Sequence, residues 1–369
     1  EALRKGISVD RLYEITKIDK WFINRIKNII EMENKLVNNA PTVENIQQAE
    51  LMGFTDEYIC KLIGMKLEDL KQIKEVNRIK VVYKMVDTCS GEFQAKTSYY
   101  YSCYDLEDDN MVSDDKKILV IGSGPIRIGQ GIEFDYCCVN SVWAIKKAGY
   151  KAIIVNNNPE TVSTDFDISD KLYFDPLYID DVMNVINEEK VDGVVVQFGG
   201  QTALNLSKKL NDAGVKLLGT SFESIDLAED REKFRVLLKK LGINSPIGGS
   251  VTSLKEADEL VHEIGYPVIV RPSYVIGGRA MKVVYNHGEL SQYLKDAVNL
   301  SKEYPVLVDK YILGREIEVD AISDGQDLII PGIMEHIERT GVHSGDSIAV
   351  YPASDLPEEV LKKIEDYTV

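Results

Sequence analysis

Apolar residues recur at intervals of three and four between positions 8 and 36, which predicts an amphipathic helix with one apolar face. Further helical patterns follow at residues 55–64 and 67–79, and alternating runs of β-branched residues are scarce before residue 112. We therefore expect residues 1–112 to form an all-α domain. The apolar row on the first helix consists of Leu12, Ile15, Ile18, Phe22, Ile26 and Ile29.

The end of this segment is first aromatic and then acidic. Residues 99–104 read Tyr-Tyr-Tyr-Ser-Cys-Tyr, which is typical either of packing between subdomains or of a subunit contact. Residues 105–115 are rich in aspartate, and this composition predicts an exposed linker.

The pattern changes at Lys116, where short apolar runs begin to alternate with helical segments. Strands that alternate with helices of this length predict a parallel sheet with crossover helices, so we expect an α/β domain over residues 113–225. The predicted strands are residues 117–122, 152–155, 193–197 and 215–218, and the predicted helices are residues 135–148, 180–189 and 202–213.

Beyond residue 221 the alternation becomes irregular. Long helical patterns are mixed with strand patterns, which indicates an α+β domain over residues 226–369. The predicted helices are residues 226–241 and 288–300, and the predicted strands are residues 268–271, 281–285, 306–311 and 316–323.

The length of 369 residues exceeds that of one ordinary domain, so two or three domains are expected. The formal net charge of −17 argues against a nucleic-acid partner and against docking on an anionic membrane.

No run of 18 apolar residues is present, so the sequence predicts no membrane span. The five cysteines fit no zinc spacing, and a reducing, cytoplasmic compartment is the simplest interpretation.

Three loops follow predicted strands of the α/β domain, at the edge where parallel sheets bind ligands. In the first loop, residues 122–131, a dinucleotide fingerprint would need glycine where Arg127 stands, which disfavours NAD. An anionic substrate or intermediate held by loop amides is favoured, while tight turns and an Asx turn are the alternatives. The candidate residues of these loops are Arg127, Gly129, Gln130, Asn158, Glu160, Thr161, Gly199, Gly200, Gln201 and Thr202.

A glycine loop follows the predicted strand that ends at Arg271. The guanidinium group and the amides around Gly277 and Gly278 suit a triphosphate, although an ordinary hairpin has the same sequence features. Three acids alternate from Glu316 to Asp320, which indicates either an exposed edge strand or a ribose or cation site.

Taken together, these segments resemble the C-terminal, carbamoyl-phosphate-forming half of carbamoyl phosphate synthetase large subunits. The similar segments include NPETVSTD at residues 158–165, QFGGQT at residues 197–202, AEDR at residues 228–231, and residues 124–136, 271–281 and 335–347. Residues 1–112 are similar, with weaker motifs, to the helical oligomerisation domain of that family.

The resemblance implies a Rossmann-like pre-ATP-grasp domain followed by an ATP-grasp domain. The implied activity is ATP-dependent phosphorylation of carbamate to carbamoyl phosphate, within glutamine-dependent synthesis for pyrimidine and arginine biosynthesis. The implied partners are a glutamine amidotransferase small subunit and further copies of the chain, bound through the helical domain.

The resemblance also assigns roles by position. Arg231 and Arg271 are the implied catalytic residues that contact phosphates, and Glu316 is the implied ribose ligand. The other implied ATP-binding residues are Gly277, Gly278, Lys310, Ile312, Gly341, Val342, His343 and Ser344. A monovalent cation such as K⁺ is implied near Glu316 and His336, whereas the Mg²⁺ or Mn²⁺ ligands of the family are expected beyond Val369.

The first residues resemble the interior of the helical domain, and the metal ligands are expected beyond Val369. We therefore expect a fragment that binds ATP weakly and does not turn over alone. Two other hypotheses remain open at this point. One is another ATP-grasp carboxylate ligase, such as a subunit of a biotin-dependent carboxylase. The other is a non-catalytic oligomerisation module.

Overall fold

The computed structural model describes residues 1–39, 42–126, 132–272, 281–300, 306–338, 340 and 347–369. The side chains of residues 272 and 296–300 are also outside this description. The chain divides into two compact units, of which the first comprises residues 1–125 and 134–218 and the second comprises residues 126–133 and 219–369.

The first unit begins with five helices and continues as an α/β structure. Its helices are α1 (Val9–Thr16), α2 (Lys20–Asn38), α3 (Val43–Leu51), α4 (Asp56–Ile63), α5 (Leu67–Val76), α6 (Glu133–Lys147), α7 (Ile179–Glu189), α8 (Gly200–Leu204) and α9 (Ser207–Asp212). Its strands are β1 (Val82–Met85), β2 (Tyr99–Cys103), β3 (Lys117–Ile121), β4 (Lys151–Val155), β5 (Lys171–Tyr173) and β6 (Gly193–Val195).

The long N-terminal helix predicted from periodicity is two helices. Lys17 adopts a left-handed conformation with φ of 59° and ends α1, and the Asp19 carboxylate accepts a hydrogen bond from Trp21 N–H to begin α2. Ile23 and Ile30 of α2 are buried, but most of the predicted apolar row is not. Its members Ile15, Ile18, Phe22, Ile26 and Ile29 are all exposed.

Residues 1–112 are not all helical, which corrects the expectation of an all-α segment. β1 and β2 extend the sheet of the α/β domain, whose strand order is β1-β2-β5-β4-β3-β6. Among these described strands, only β1 runs antiparallel to its neighbour. The aromatic patch is therefore a strand within the sheet, where buried Tyr100 stacks on Tyr173 with ring centroids 5.6 Å apart.

The acidic run is also not a free linker. The Asp108 carboxylate accepts from Tyr83 N–H at 3.3 Å, and the Asp109 carboxylate accepts from Met85 N–H at 3.2 Å. Asp109 N–H in turn donates to the Tyr83 carbonyl at 2.8 Å. These contacts cover the open edge of β1, which would otherwise present unpaired backbone groups.

The α/β alternation predicted after residue 116 is confirmed for β3, β4, β6 and the helices α6 and α7. Two details differ. The helix predicted over residues 202–213 is divided into α8 and α9, and the strand predicted over residues 215–218 is reduced to one bridge between Val194 and Leu217. Sequence periodicity missed β5 because a strand of three residues is too short to show alternation.

The second unit is built around an antiparallel sheet in the order β7-β10-β8-β9. A second sheet has the order β11-β14-β15, and β12 pairs with β13. The strands are β7 (Gly248–Val251), β8 (Val268–Pro272), β9 (Lys282–Val284), β10 (Val306–Lys310), β11 (Ile317–Val319), β12 (Ile322–Ser323), β13 (Leu328–Ile329), β14 (Ile333–His336) and β15 (Ala349–Val350). The helices are α10 (Phe222–Glu229), α11 (Arg231–Leu241), α12 (Leu254–Ile264), α13 (His287–Leu300) and α14 (Glu358–Thr368).

The helix predicted over residues 226–241 is broken at Asp230, which ends α10 and caps α11 by accepting from Lys233 N–H at 3.0 Å. Sequence patterns missed β7 and α12, which supply Val251 and Val261 to the core of this unit. Within the described part of the chain, no helix has both the length and the apolar character that a membrane crossing requires.

A buried ionic cluster joins three elements of the first unit. Glu189 of α7 is fully buried and accepts from Lys117 of β3 at 2.9 Å, from Lys171 of β5 at 2.7 Å and from the Tyr173 hydroxyl. Burial by itself raises the pKa of the Glu189 carboxyl, but the hydrogen bonds from Lys171, Tyr173 and Lys117 outweigh it and lower the pKa.

We predict that Lys117→Met lowers the free energy of unfolding by about 3 kcal/mol, because it removes one partner of a buried charge. Urea denaturation at pH 7 measures this loss. The lowered pKa stabilises the fold above the pKa of an unfolded glutamate, about 4.3, and this contribution is lost as the pH falls through the folded value. The difference between wild type and variant should therefore shrink below about pH 4.

The matched control is Lys151→Met, which breaks the pair between Lys151 and Asp170 on the surface of the same sheet. This substitution should lower stability by less than about 1 kcal/mol. Equal losses for the two variants would contradict a structural role for the buried cluster.

Candidate functional site

The second unit contains a cavity of about 440 Å³ beside its four-stranded sheet. The helix α11 forms one wall, and residues of β7, β8 and β10 form the floor. The lining residues are Arg231, Glu232, Phe234, Arg235, Leu238, Ser245, Pro246, Gly248, Gly249, Ser250, Ile269, Arg271, Met281, Leu307, Asp309, Lys310, Tyr311, Ile312 and Thr340.

Two arginines that the sequence singled out meet in this cavity. Arg231 is the first residue of α11, and Arg271 lies near the end of β8. Partial removal of water lowers the pKa of Arg231, and the nearby charge of Arg271 lowers it further. Asp309 of β10 acts in the opposite direction, and its carboxylate lies 3.5 Å from the guanidinium of Arg271.

The Nε atom of Arg271 is buried and has no hydrogen-bond partner among the residues that the structure describes. A buried donor without a partner is uncommon, because it loses its bonds to water without compensation. The cavity thus brings together the like charges of Arg231 and Arg271, and it leaves one donor of Arg271 unpaired. An anion would stabilise this arrangement.

Gly248 sets the distance between β7 and β10 at the floor of the cavity. A Cβ atom at this position would lie 2.1 Å from Oδ1 of Asp309 and 2.6 Å from the Val308 carbonyl oxygen. The register pairs Gly248 directly with Asp309. Only glycine allows this approach, so Gly248 fixes the place of the carboxylate that pairs with Arg271.

Lys310 and Ile312, two of the implied ATP-binding residues, both line the cavity. The Lys310 ammonium group donates to the carbonyl oxygens of Gly265 at 3.2 Å and Tyr266 at 2.9 Å, so it ties β10 to the turn before β8. Glu316 is not among the lining residues of the cavity, and its carbonyl oxygen accepts from His336 N–H at 2.9 Å.

His336 is buried, and both of its ring nitrogens have side-chain partners. Nε2 lies 3.0 Å from the Glu318 carboxylate, and Nδ1 lies 2.7 Å from the Ser347 hydroxyl. The Ser347 hydroxyl donates to Glu338 at 2.7 Å, and this bond lowers the pKa of the Glu338 carboxyl together with the bond from Ile348 N–H. The imidazole ring is thus held by Glu318 rather than by Glu316.

Among the described residues, no group of three or more histidine, cysteine, aspartate or glutamate side chains could hold a metal ion. A monovalent cation near Glu316 and His336 therefore stays a prediction. Several other predicted residues lie outside the described part of the chain. These are Arg127, Gly129, Gln130, Gly277, Gly278, Gly341, Val342, His343 and Ser344.

The loops at the carboxyl edge of the parallel sheet are close-packed in the first unit. Asn158 Oδ1 accepts from Glu160 N–H at 3.1 Å, which is the Asx turn that the sequence left open, and Thr161 follows it. A Cβ atom at Gly199 would lie 2.6 Å from the Ile121 carbonyl oxygen.

At the β6–α8 junction, Gly200 has φ of 57°, and a Cβ atom at this position would lie 3.2 Å from the ring of Phe134. Thr202 lies inside α8, whose N-cap is Gly199, so Thr202 does not cap this helix. Gln201 also lies inside α8, and its side chain is exposed. The carboxyl edge of the parallel sheet therefore presents glycine backbone and short polar loops, which follow the strands β3, β4 and β6.

Sequence reasoning missed Gly248, Asp309, Phe234 and Leu238, which all line the cavity. Asp309 precedes Lys310 directly, but a single aspartate in an apolar strand does not indicate a partner that is 38 residues away in sequence. Phe234 and Leu238 lie four residues apart within the helix predicted over residues 226–241, and this spacing indicates an apolar helix face but not the wall of a cavity.

The architecture defines a class of protein, because solved ATP-grasp enzymes are similar to it. The biotin carboxylase domain of 2-oxoglutarate carboxylase from Hydrogenobacter thermophilus has a TM-score of 0.53 at 21% identity, over 69% of this chain and 57% of that chain. Biotin carboxylase from Campylobacter jejuni has a TM-score of 0.53 at 22% identity, over 69% of this chain and 58% of that chain. The fold is thus of the ATP-grasp, biotin-carboxylase-like class with mixed sheets.

Three family models match consecutive segments of the chain. They describe the carbamoyl-phosphate synthetase large chain oligomerisation domain at residues 1–78, the carbamoyl phosphate synthase preATP-grasp domain at residues 114–227, and the carbamoyl-phosphate synthase L chain ATP binding domain at residues 230–369. The large chain from Clostridium acetobutylicum is 64% identical over 370 residues, which is all of this chain and 35% of that protein.

The chain belongs to the carbamoyl phosphate synthase large-chain family, as the sequence motifs predicted. It spans about a third of the length of the relative from Clostridium acetobutylicum.

We predict that Gly248→Ala disturbs the floor of the cavity, because the added methyl group would meet Asp309 and the β10 backbone. The free energy that is needed to open the hydrogen bonds between β7 and β10 should fall by about 1–3 kcal/mol, as is usual for overpacking. Hydrogen exchange of the β7 and β10 amides measures this change. Gly314→Ala is the matched control, since nothing lies within 4 Å of its Cβ position, and equal exchange in the two variants would contradict the prediction.

Proposed function

We propose that the chain binds ATP in the cavity beside α11, as part of the half of a large chain that phosphorylates carbamate to carbamoyl phosphate. The observation that carries this proposal is the pair of guanidinium groups, Arg231 and Arg271, in one cavity whose other walls are largely apolar. Apolar residues such as Ile269 and Ile312 suit the faces of a purine base, and the arginines suit its phosphates.

Phosphoryl transfer asks little covalent work of the protein. It requires donors and positive charge placed where negative charge accumulates on the transferred group. We assign this role to Arg231 and Arg271, with Asp309 as the residue that orients Arg271. Chemically, Mg²⁺ or Mn²⁺ would neutralise the phosphates, and no residue of this chain is proposed as its ligand.

We retain the remaining sequence-based roles as proposals. Gly277, Gly278, Lys310, Glu316 and residues 341–344 complete the ATP site, and K⁺ binds near Glu316 and His336. Residues 127–130, 158–161 and 199–202 form a loop cluster for an anionic substrate or intermediate. The 64% identity to a large chain supports carbamate over the substrates of biotin carboxylases, which are only 21–22% identical.

We further propose three functional segments, residues 1–112, 113–225 and 226–369, of which the first contributes β1 and β2 to the sheet of the second. A glutamine amidotransferase subunit is the proposed partner of the whole enzyme, which serves pyrimidine and arginine biosynthesis. The five cysteines all lie in the described part of the chain and form no disulfide there, which supports a reducing, cytoplasmic location.

Isothermal titration with Mg-ATP tests the nucleotide site. We expect a saturable binding heat for the wild-type chain, and an affinity about tenfold to a hundredfold lower for Arg271→Gln and for Arg231→Gln. Each variant loses a charge-assisted contact to phosphate. Arg11→Gln is the matched control, because Arg11 is an exposed residue paired with Glu14 on α1.

Two outcomes of this titration would count against the proposal. Without any binding heat at millimolar Mg-ATP, the cavity is not a nucleotide site in this chain. If Arg11→Gln weakens binding as much as the cavity variants, the arginines act only through the overall charge.

We also propose that copies of the chain associate through the helical segment. Ile15, Ile18, Phe22 and Ile26 are between 50% and 61% exposed, and Trp21 lies beside Phe22 with ring centroids 5.0 Å apart. Exposed large apolar side chains that follow one another along α1 and α2 are typical of a protein–protein contact. These side chains are the specific observation that favours an assembly role.

Sedimentation velocity over a range of concentrations tests this contact. We expect the wild-type chain to sediment as a dimer or larger species, and Phe22→Asp to shift it toward monomer, because a charge would be buried in the contact. Val76→Asp is the matched control, since Val76 is 74% exposed at the end of α5. A monomeric wild type at every concentration would contradict the assembly role.

A further inference from the structure

The side chain of Asn156 lies under the loops that follow β3 and β4, and it is only 1% exposed. Its Oδ1 atom accepts three backbone hydrogen bonds, from Gly124 N–H at 3.0 Å, from Asn157 N–H at 2.9 Å and from Asn158 N–H at 3.4 Å. One side-chain oxygen thus joins two loops that are neighbours at the sheet edge but 32 residues apart in sequence.

These three donors fix the orientation of the amide, because only its oxygen can accept from them. The other end is therefore the Nδ2 donor, which is buried and without a hydrogen-bond partner among the residues that the structure describes. Buried amide donors are normally paired, so an unpaired one indicates that its hydrogen-bond acceptor is supplied by a group that is not among the described residues.

Gly122 allows the Asn156 amide to pack closely against the backbone, because it has no side chain. A Cβ atom at position 122 would lie 2.5 Å from Asn156 Cγ and 2.6 Å from Nδ2, so the amide is packed flat against the Gly122 backbone. Within the described part of the chain, the same loop region holds a second unpaired buried donor, the Ser163 hydroxyl, while Ser163 N–H is bound by the Asp135 carboxylate at 3.1 Å. Both of these donors are neutral and both lie in the loops at the carboxyl edge.

We propose that Asn156 is the positioning residue of this edge: its Oδ1 fixes the two loops, and its Nδ2 donates to an oxygen of the small acid bound there. A carboxylate-like oxygen is the matching acceptor for such an amide. The first half of the proposal stands on the hydrogen bonds alone. The second half rests on the proposed anion-binding role of the edge.

Amide exchange measured by NMR tests the first half. Asn156→Asp keeps an oxygen for the three N–H groups, whereas Asn156→Leu has a similar size and no acceptor. We expect exchange at Gly124, Asn157 and Asn158 to be at least about tenfold faster in Asn156→Leu and to stay slow in Asn156→Asp.

Two results would overturn this half. One is wild-type exchange at all three amides in Asn156→Leu, and the other is equally fast exchange in both variants. If Asn156→Leu does not fold, Gly122→Ala serves in its place, because its methyl group displaces the amide and should accelerate exchange at Gly124 in the same way.

The second half is tested by titrating the wild-type chain with bicarbonate, a planar acid close in shape to carbamate, and following side-chain NH₂ signals. The Asn156 signal is identified by its absence in Asn156→Asp. We expect it to shift in a saturable way, while that of Asn140, whose exposed amide donates to the Tyr136 carbonyl, stays unchanged.

The outcomes separate the two proposals. If backbone amides such as Gly124 shift while the Asn156 NH₂ signal does not, the edge binds the acid and Asn156 is not its donor. If no signal at the edge shifts, both the donor role and the anion-binding role of the edge are overturned. The Mg-ATP titration of the cavity is independent of either result.

Discussion

The cavity of the second unit is governed by one electrostatic constraint, which is that the guanidinium groups of Arg231 and Arg271 both line it and interact. Like charges a few ångströms apart repel each other by about 1 kcal/mol in water and by more where water is partly excluded. Burial and the charge of Arg271 both lower the pKa of Arg231, although a net charge of −17 on the whole chain favours cations. A bound polyanion would remove the repulsion and pair the buried Nε of Arg271.

Several features of the sheet follow from that constraint. Arg271 needs a fixed counter-charge when no anion is bound, and Asp309 on the adjacent strand provides it at 3.5 Å. Asp309 can occupy this place only because its partner on the next strand, Gly248, has no side chain. The cavity is therefore specified by three strands at once, and a change at any of them alters the same ion pair.

Local sequence signals predicted the elements that are buried on both faces. The strands β3 and β4 are continuous apolar runs, and runs of this kind are typical of central parallel strands. β1 and β2 gave no such signal, because they lie toward the edge of the sheet and mix tyrosines with polar residues such as Lys84 and Ser102. The break at Lys17 was equally hidden, since a left-handed lysine has no sequence signature.

The sequence predicted those residues of the candidate site that belong to local sequence motifs. Arg231, Arg271, Lys310 and Ile312 all line the cavity, as the family motifs implied. Glu316 does not line it. Sequence alternation placed Glu316 and Glu318 on one face of a strand, but alternation does not show which strand lies opposite, and β14 is the partner of β11. Pairing across a sheet is decided by tertiary structure, and this is why Asp309 and Gly248 escaped sequence reasoning.

The two regions of the chain that we propose to bind anions are built from different chemistry. The cavity uses full positive charges, which suit a polyphosphate because several negative oxygens must be matched. The edge around Asn156 offers neutral buried donors, Nδ2 and the Ser163 hydroxyl. Neutral donors held in fixed positions suit a small monoanion, because they orient it without the large desolvation cost of burying a further charge. The contrast between Arg271 and Asn156 thus matches the proposed function, in which the cavity binds a nucleotide and the sheet edge orients a small acid.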